Sequence, residues 1–113
     1  MLFRSGRERC FIAKSDGEIV GAVLVVQKSK RTAQLRMLYV EPKARGLGIG
    51  RTLVNECVQF SRAAEYHSLV LWTNDVLHTA RHLYQSAGFK LVEEQPHTEF
   101  GQNLSAQIWR LAL

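Results

Sequence analysis

Leu38-Tyr39-Val40-Glu41-Pro42-Lys43-Ala44-Arg45-Gly46-Leu47-Gly48-Ile49-Gly50-Arg51 is the stretch on which the fold turns. Its first residues close an apolar strand. After it, Ile49, Leu53, Val54, Cys57, Phe60 and Ala64 recur at spacings of three, four and one, which predicts a helix over about residues 48–65. Gly46, Gly48 and Gly50 therefore lie at a strand-to-helix junction, between Arg45 and Arg51. A helix N-terminus offers unpaired N–H groups and the positive end of the dipole, and glycines let an anion approach that backbone. The two arginines add charged donors, so the expected ligand group is a phosphate or pyrophosphate.

Spacing narrows the device. A Walker A loop has four residues between its glycines and then Lys-Ser/Thr, whereas Gly46 and Gly50 have three between them and Arg51 follows. The dinucleotide pattern G-x-G-x-x-G fails from Gly46, where Arg51 holds the last position, and from Gly48, where Leu53 does.

Upstream, the residues as far as Arg9 read as a loose, polar lead-in. Cys10 to Lys14 and Ile19 to Lys28 are strand-like runs joined through Asp16-Gly17, a hairpin signal. A turn at Ser29-Lys30-Arg31-Thr32 leads into a third strand, Ala33 to Val40, completing an antiparallel meander. Downstream, Ser68 to Thr73 is a nearly unbroken apolar run, which predicts a strand buried on both faces and parallel to the third. Asn74-Asp75 supplies cap chemistry for a second helix marked by Leu77, Ala80, Leu83, Tyr84 and Ala87, and Gly88 ends it. Lys90 to Glu94 and Ala106 to Leu113 are read as closing strands, joined by a polar connection containing Pro96, His97, Phe100 and Gly101.

With 113 residues, the chain is expected to form one domain over residues 1–113. Its composition, 46% hydrophobic and 22% charged, argues against both a disordered tail and a membrane protein. No apolar run approaches the ~20 residues that span a bilayer and no signal peptide opens the chain, so a cytoplasmic protein with no membrane partner is expected. Cys10 and Cys57 lack the spacing of a zinc site or a disulfide framework, and are read as core residues. His78 and His82 share a helix face but have no third ligand, so no metal is expected. The net charge of +5 suits an anionic ligand. Neither a helix-turn-helix nor an RNA-binding signature appears, which argues against nucleic acid as the partner of this domain alone.

Taken together, Arg45-x-x-Gly48-x-Gly50 resembles the acetyl-CoA signature of the GNAT superfamily of N-acetyltransferases. The Leu38-Tyr39-Val40 strand with its Glu41-Pro42 turn, Asn74 after the next strand, and Ala80…Leu83-Tyr84…Gly88-Phe89 also look like that family. The likeness runs from about Cys10 to Leu113, and is nearest to the acetyltransferase half of proteins that join a MarR-type regulator to a GNAT domain. It implies an α/β fold: a mixed, twisted sheet of about six strands with at least two helices, forming an acyl-CoA acyltransferase core. It implies acetyl-CoA as cosubstrate and a primary amine, of a small molecule or a protein, as acceptor. Arg45, Gly46, Gly48, Gly50 and Arg51 would hold the pyrophosphate, the backbone of Leu38 and Val40 would pair with the pantetheine arm, and Asn74 and Ala80 would flank it. Tyr84, which periodicity alone makes a core residue, becomes the candidate general acid, and the Val40 N–H a candidate oxyanion donor. Glu41 remains a solvated loop carboxylate rather than a base. A complete member of the family begins with a strand and two helices that have no counterpart here, so an N-terminally truncated domain is expected, whether an excised C-terminal piece, a start placed too late or a minimal variant, paired with a second copy or with a fused or associated N-terminal regulator. A catalytically silent acyl-CoA-binding sensor is the alternative.

Overall fold

The computed structural model describes residues 7–74, 78–99 and 102–113, without the side chains of 74, 78–80 and 96–105. The elements are β1 (Arg9–Ser15), β2 (Glu18–Gln27), β3 (Thr32–Val40), a 3₁₀ turn (Pro42–Ala44), α1 (Ile49–Ala63), β4 (Ser68–Asn74), α2 (His78–Ser86), β5 (Lys90–Glu99) and β6 (Gln102–Ala112). They form a six-stranded sheet in the order β1-β2-β3-β4-β6-β5. β3 and β4 run parallel and every other neighbouring pair is antiparallel. This is the mixed α/β architecture that the sequence leads one to expect.

Local chemistry explains the turns. Asp16 and Gly17 both have positive φ, +51° and +81°, as a two-residue hairpin turn of matching twist requires. α2 ends as its sequence predicts: Gly88 has φ +99°, its N–H donates to Gln85 O, and Phe89 N–H donates to Tyr84 O. α1 ends in the same double hydrogen bond, Glu65 N–H to Arg62 O and Tyr66 N–H to Ser61 O, but with Glu65 at φ +67° where glycine is usual.

The core lies on one face of the sheet. Val23 and Val25 of β2, Ala33 and Leu35 of β3, Leu69 and Leu71 of β4, and Trp109 and Leu111 of β6 meet Leu53, Val54, Cys57 and Val58 of α1, with Tyr84 and Phe89 beside them. Burying Leu53 or Val54 contributes about 1.5–3 kcal/mol apiece. Gly21 lets α1 settle on β2, because a Cβ there would stand 3.1 Å from both Ile49 Cγ2 and Leu53 Cδ1.

Three expectations change. The end of the lead-in is tied down at Arg7 and Glu8, residues 1–6 lying outside the described set: Gln27 N–H donates to Glu8 Oε2 at 2.8 Å, and the Arg7 guanidinium lies 4.0 Å from the Tyr66 ring centre. The polar connection is instead paired strand over residues 95–99 and 102–105, with Pro96 opposite Ser105 and Glu99 opposite Gln102. Proline is tolerated there because β5 is an edge strand, where a missing N–H removes no ladder bond. The third is the outline of α1, which starts at Ile49 and leaves Gly48 outside as its N-cap. The expected cap at Asp75, the apolar mark at Leu77, and Phe100 and Gly101 lie outside the described residues.

Candidate active site

The site begins with a seam that does not close. β3 and β4 pair only at Thr32–Ser68, Ala33–Leu69 and Gln34–Val70, and then part. β4 stays aligned with β6 as far as Asn74, opposite Ala106. The deviation belongs to β3: Ala22 faces Tyr39 and Leu24 faces Arg36, so Val23 faces both Met37 and Leu38. This is a bulge, and Met37 adopts φ +57° within it. The extra residue also flips the side-chain phase. Leu35 points into the core, and past the bulge Leu38 and Val40 pack on it instead of Met37 and Tyr39, which are exposed.

Between the parted strands lies a cavity of about 400 Å³, lined by residues 34–38 of β3, 71–73 of β4 and Tyr84 of α2. Among the described residues, the edge of β3 facing it has no strand partner beyond Gln34. Glu41 N–H donates to Val20 O at 2.8 Å, and successive strand amides point to opposite edges, so the Val40 N–H projects from the cleft edge. Val40 O, on that same edge, accepts from Arg45 Nε at 3.3 Å.

At the end of the cleft the chain makes the 3₁₀ turn and reaches α1 through Gly46 (φ +86°) and Gly48 (φ +79°). No side chain caps the helix and no acid stands in its first turn, while Gly48 O accepts from Thr52 N–H and Oγ1. The N–H groups of Ile49, Gly50 and Arg51 are thus the uncapped donors of a 15-residue helix. A Cβ on Gly46 or Gly48 would meet nothing within 4 Å, so the loop is open to solvent. These donors, with exposed Arg45 and Arg51, fit a pyrophosphate. Gly50 has a further reason to be glycine: its Cβ would lie 3.2 Å from Leu83 Cδ2, so it also sets how closely α2 packs on α1.

Leu83 and Tyr84 connect the two parts of the site, the first at the glycine end and the second in the cleft. Tyr84 is only 6% exposed, with its ring centre 6.2 Å from those of both Phe89 and Trp109. Burial pushes its phenol above the ordinary tyrosine value, and its hydroxyl has no hydrogen-bond partner among the described residues. It is a neutral phenol in the lining of that cavity. Below it, Trp109 Nε1 donates to Gln107 Oε1 at 3.0 Å and Gln107 Nε2 donates to Glu94 Oε2 at 2.6 Å. That relay fixes the ring on which Tyr84 rests. Sequence reading missed it, although Gln107 and Trp109 at i and i+2 on a strand do mark one face.

Asn74 ends β4 and Ala80 lies in α2, both on the elements that flank the cleft, and their side chains are outside the described set. Glu41 starts the 3₁₀ turn and makes no side-chain cap bond. Cys57 is fully buried and its thiol is pushed up to about 12, chiefly by that burial, with the charges of Glu56 and Cys10 adding to it. It is a packing residue rather than a nucleophile.

An open seam in a mixed sheet, beside a glycine-capped helix, is the arrangement of an acyl-CoA acyltransferase core. Residues 2–89 match the sequence profile described as the acetyltransferase (GNAT) family, and the chain belongs to that family. An uncharacterized N-acetyltransferase of Schizosaccharomyces pombe is 45% identical over 64 residues, 57% of this chain and 39% of that protein. Among solved structures, a ribosomal-protein-alanine N-acetyltransferase from Brucella melitensis superposes with a TM-score of 0.81 at 25% identity, covering 92% of this chain and 68% of that one. A GNAT family acetyltransferase from Elizabethkingia anophelis with acetyl-CoA bound gives 0.81 at 21% identity, covering 95% and 77%, and shares the fold. The chain spans 31–46% of the length of the curated relatives it matches.

Proposed function

We propose that this chain is the acetyl-CoA-binding and catalytic core of an N-acetyltransferase that acetylates a primary amine. The observation that carries the reading is the parting of β3 from β4 directly ahead of the uncapped, glycine-flanked start of α1. It is supported by family membership and by a fold neighbour whose structure was solved with acetyl-CoA bound.

Acetyl-CoA supplies the activated acyl group. The α1 N-terminus, with Gly46, Gly48 and Gly50 and the side chains of Arg45 and Arg51, holds the pyrophosphate. The free β3 edge at Leu38 and Val40 pairs with the pantetheine arm like an added strand, and Asn74 and Ala80 flank it from β4 and α2. The amine attacks the thioester carbonyl in its neutral form, and the Val40 N–H donates to the carbonyl oxygen as charge builds there. As the carbon–sulfur bond breaks, sulfur keeps the electron pair and takes a proton from the Tyr84 hydroxyl, while the attacking nitrogen releases its extra proton to water and the tyrosinate regains one from water. The preference of that phenol for its neutral form keeps the proton available throughout the neutral range.

The same reading includes a cytoplasmic setting. No helix among the described residues is long and apolar enough to cross a membrane. It also includes association through the sheet face away from α1, where Ile12, Ala22 and Tyr39 form a cross-strand row and Trp72 stands 58% exposed. A second copy of the chain or an N-terminal regulator would cover that row.

Calorimetry with acetyl-CoA and an assay of CoA thiol release across a panel of amines test the proposal. Binding with amine-dependent thiol release is expected. Binding without release from any amine would make this a silent acyl-CoA sensor, and absence of binding would end the reading altogether.

A further inference from the structure

The basic turn between β2 and β3 has no part in the cleft. Lys28 is taken up by Trp72, its Nζ 5.0 Å from the ring centre. Lys30 and Arg31 instead line a notch of about 470 Å³ with Arg7, Ala64, Glu65 and His67. Three segments far apart in sequence meet there: the residues before β1, the β2–β3 turn, and the connection from α1 to β4.

The walls are tied together. Arg31 O accepts from the N–H of His67 at 2.7 Å and of Ser68 at 3.3 Å, which fastens the turn to the connection. Arg7 Nη2 donates to Ala64 O at 3.4 Å, its guanidinium lies 4.0 Å from the Tyr66 ring centre, and Tyr66 Oη donates back to Arg7 O at 2.7 Å. The double hydrogen bond that ends α1 holds Glu65 and Tyr66 in place.

Charge in the notch is unbalanced. Arg7, Lys30 and Arg31 face a single acid, Glu65, and none of the three cations forms an ion pair among the described residues. Like charges gathered in a concave site repel one another and focus their field on whatever enters, so an anion with several negative oxygens is the complementary guest. Guanidinium forks favour phosphate oxygens in particular. We infer that this notch is a second anion site, taking a compact group with adjacent phosphates, on the scale of a tripolyphosphate. It is not an extension of the acetyl-CoA site. It lies at the C-terminal end of α1, and the 15 residues of that helix put about 22 Å between it and the glycine loop.

The test is calorimetry with sodium tripolyphosphate at low ionic strength, in saturating CoA so that the glycine loop is already occupied, on three proteins: wild type, Lys30→Ala/Arg31→Ala and Arg45→Ala/Arg51→Ala. All four positions are exposed, so both variants should keep the wild-type circular dichroism spectrum. Binding should weaken about ten-fold or more in the first variant, as losing two charge-assisted contacts implies, and stay within two-fold of wild type in the second. Acetyl-CoA affinity should show the reverse pattern, so failure of the cleft reading would be seen separately. Tripolyphosphate binding that tracks Arg45 and Arg51, or that is absent at millimolar ligand, overturns the inference. So does a single-stranded oligonucleotide that binds through Lys30 and Arg31 when tripolyphosphate does not.

Discussion

Gly21 and Ile49 stand directly opposed: a Cβ on the glycine would come within 3.1 Å of Ile49 Cγ2, and equally close to Tyr39 O. The first turn of α1 is therefore laid against the backbone of β2, and the height of the uncapped N–H groups above the sheet is set by a residue with no side chain. Gly21→Ala should destabilise the domain by about 1–3 kcal/mol, the range for overpacking a filled core. Because the displaced element is the start of α1, acetyl-CoA affinity should fall with it. Thermal unfolding and calorimetry measure the two effects, and an unchanged melting temperature would show that α1 is free to shift.

Gly48 presents the opposite situation. Nothing lies within 4 Å of where its Cβ would be, yet its φ is +79°. The cost of Gly48→Val is therefore conformational, at least about 1–2 kcal/mol for a left-handed β-branched residue. The added bulk stands in the open mouth of the loop. Acetyl-CoA binding should be abolished while the circular dichroism spectrum is kept, and unchanged affinity would remove the loop from the site.

Tyr84→Phe separates binding from chemistry. Acetyl-CoA affinity should stay within a few-fold and kcat should fall by something like ~10²-fold, the low end for losing a general acid. With burial holding the phenol above the ordinary value of ~10, wild-type activity should rise with pH as the amine loses its proton and decline only beyond pH ~10. The alkaline decline should be absent from the phenylalanine variant. Wild-type turnover by that variant across the pH range would return Tyr84 to a packing role.

Cys57 gives a prediction about stability. An unfolded cysteine ionises near ~8.5, whereas the buried thiol does so only at about 12. The folded state thus holds the proton more tightly, and the thiol leaves stability undiminished below pH ~8.5. Between there and pH 12 the unfolded chain gains by ionising, so stability should decline as pH rises through that window. Urea unfolding at pH 7 and pH 10 measures the decline, and Cys57→Ala should show a shallower one from a lower starting point. In the native state at neutral pH, Cys57 should resist thiol reagents that label it in urea.

Where local chemistry names a conformation, the sequence can be read. Asp16-Gly17 announces its hairpin, Gly88 its helix end, and Gly46 with Gly48 the loop before α1. What stayed hidden lacks such markers. The bulge at Met37 falls in Leu35-Arg36-Met37-Leu38, where no glycine signals a positive φ, and the strand pattern on either side looks continuous. Glu65 takes a left-handed conformation because the end of α1 requires it, which no property of glutamate foretells. Pro96, read as part of the connection, belongs to β5, where the edge position of that strand accommodates it, a fact of topology. The Gln107–Trp109 relay depends on Glu94 from another strand.

The short seam between β3 and β4 also bears on how the molecule comes apart. Three residue pairs join a half-sheet of β1, β2 and β3 to one of β4, β6 and β5, and α1 lies mainly across the first. Each half has its own long antiparallel ladders, broken only by single bulges, so the free molecule should unfold with the two halves partly uncoupled, and amide exchange should differ between them. A ligand lying along the open edge of β3 against β4 would supply the hydrogen bonds that the seam lacks. Bound, the two halves should melt as one unit, and exchange protection at Leu38 and Val40 should rise together with that of Leu71 and Thr73.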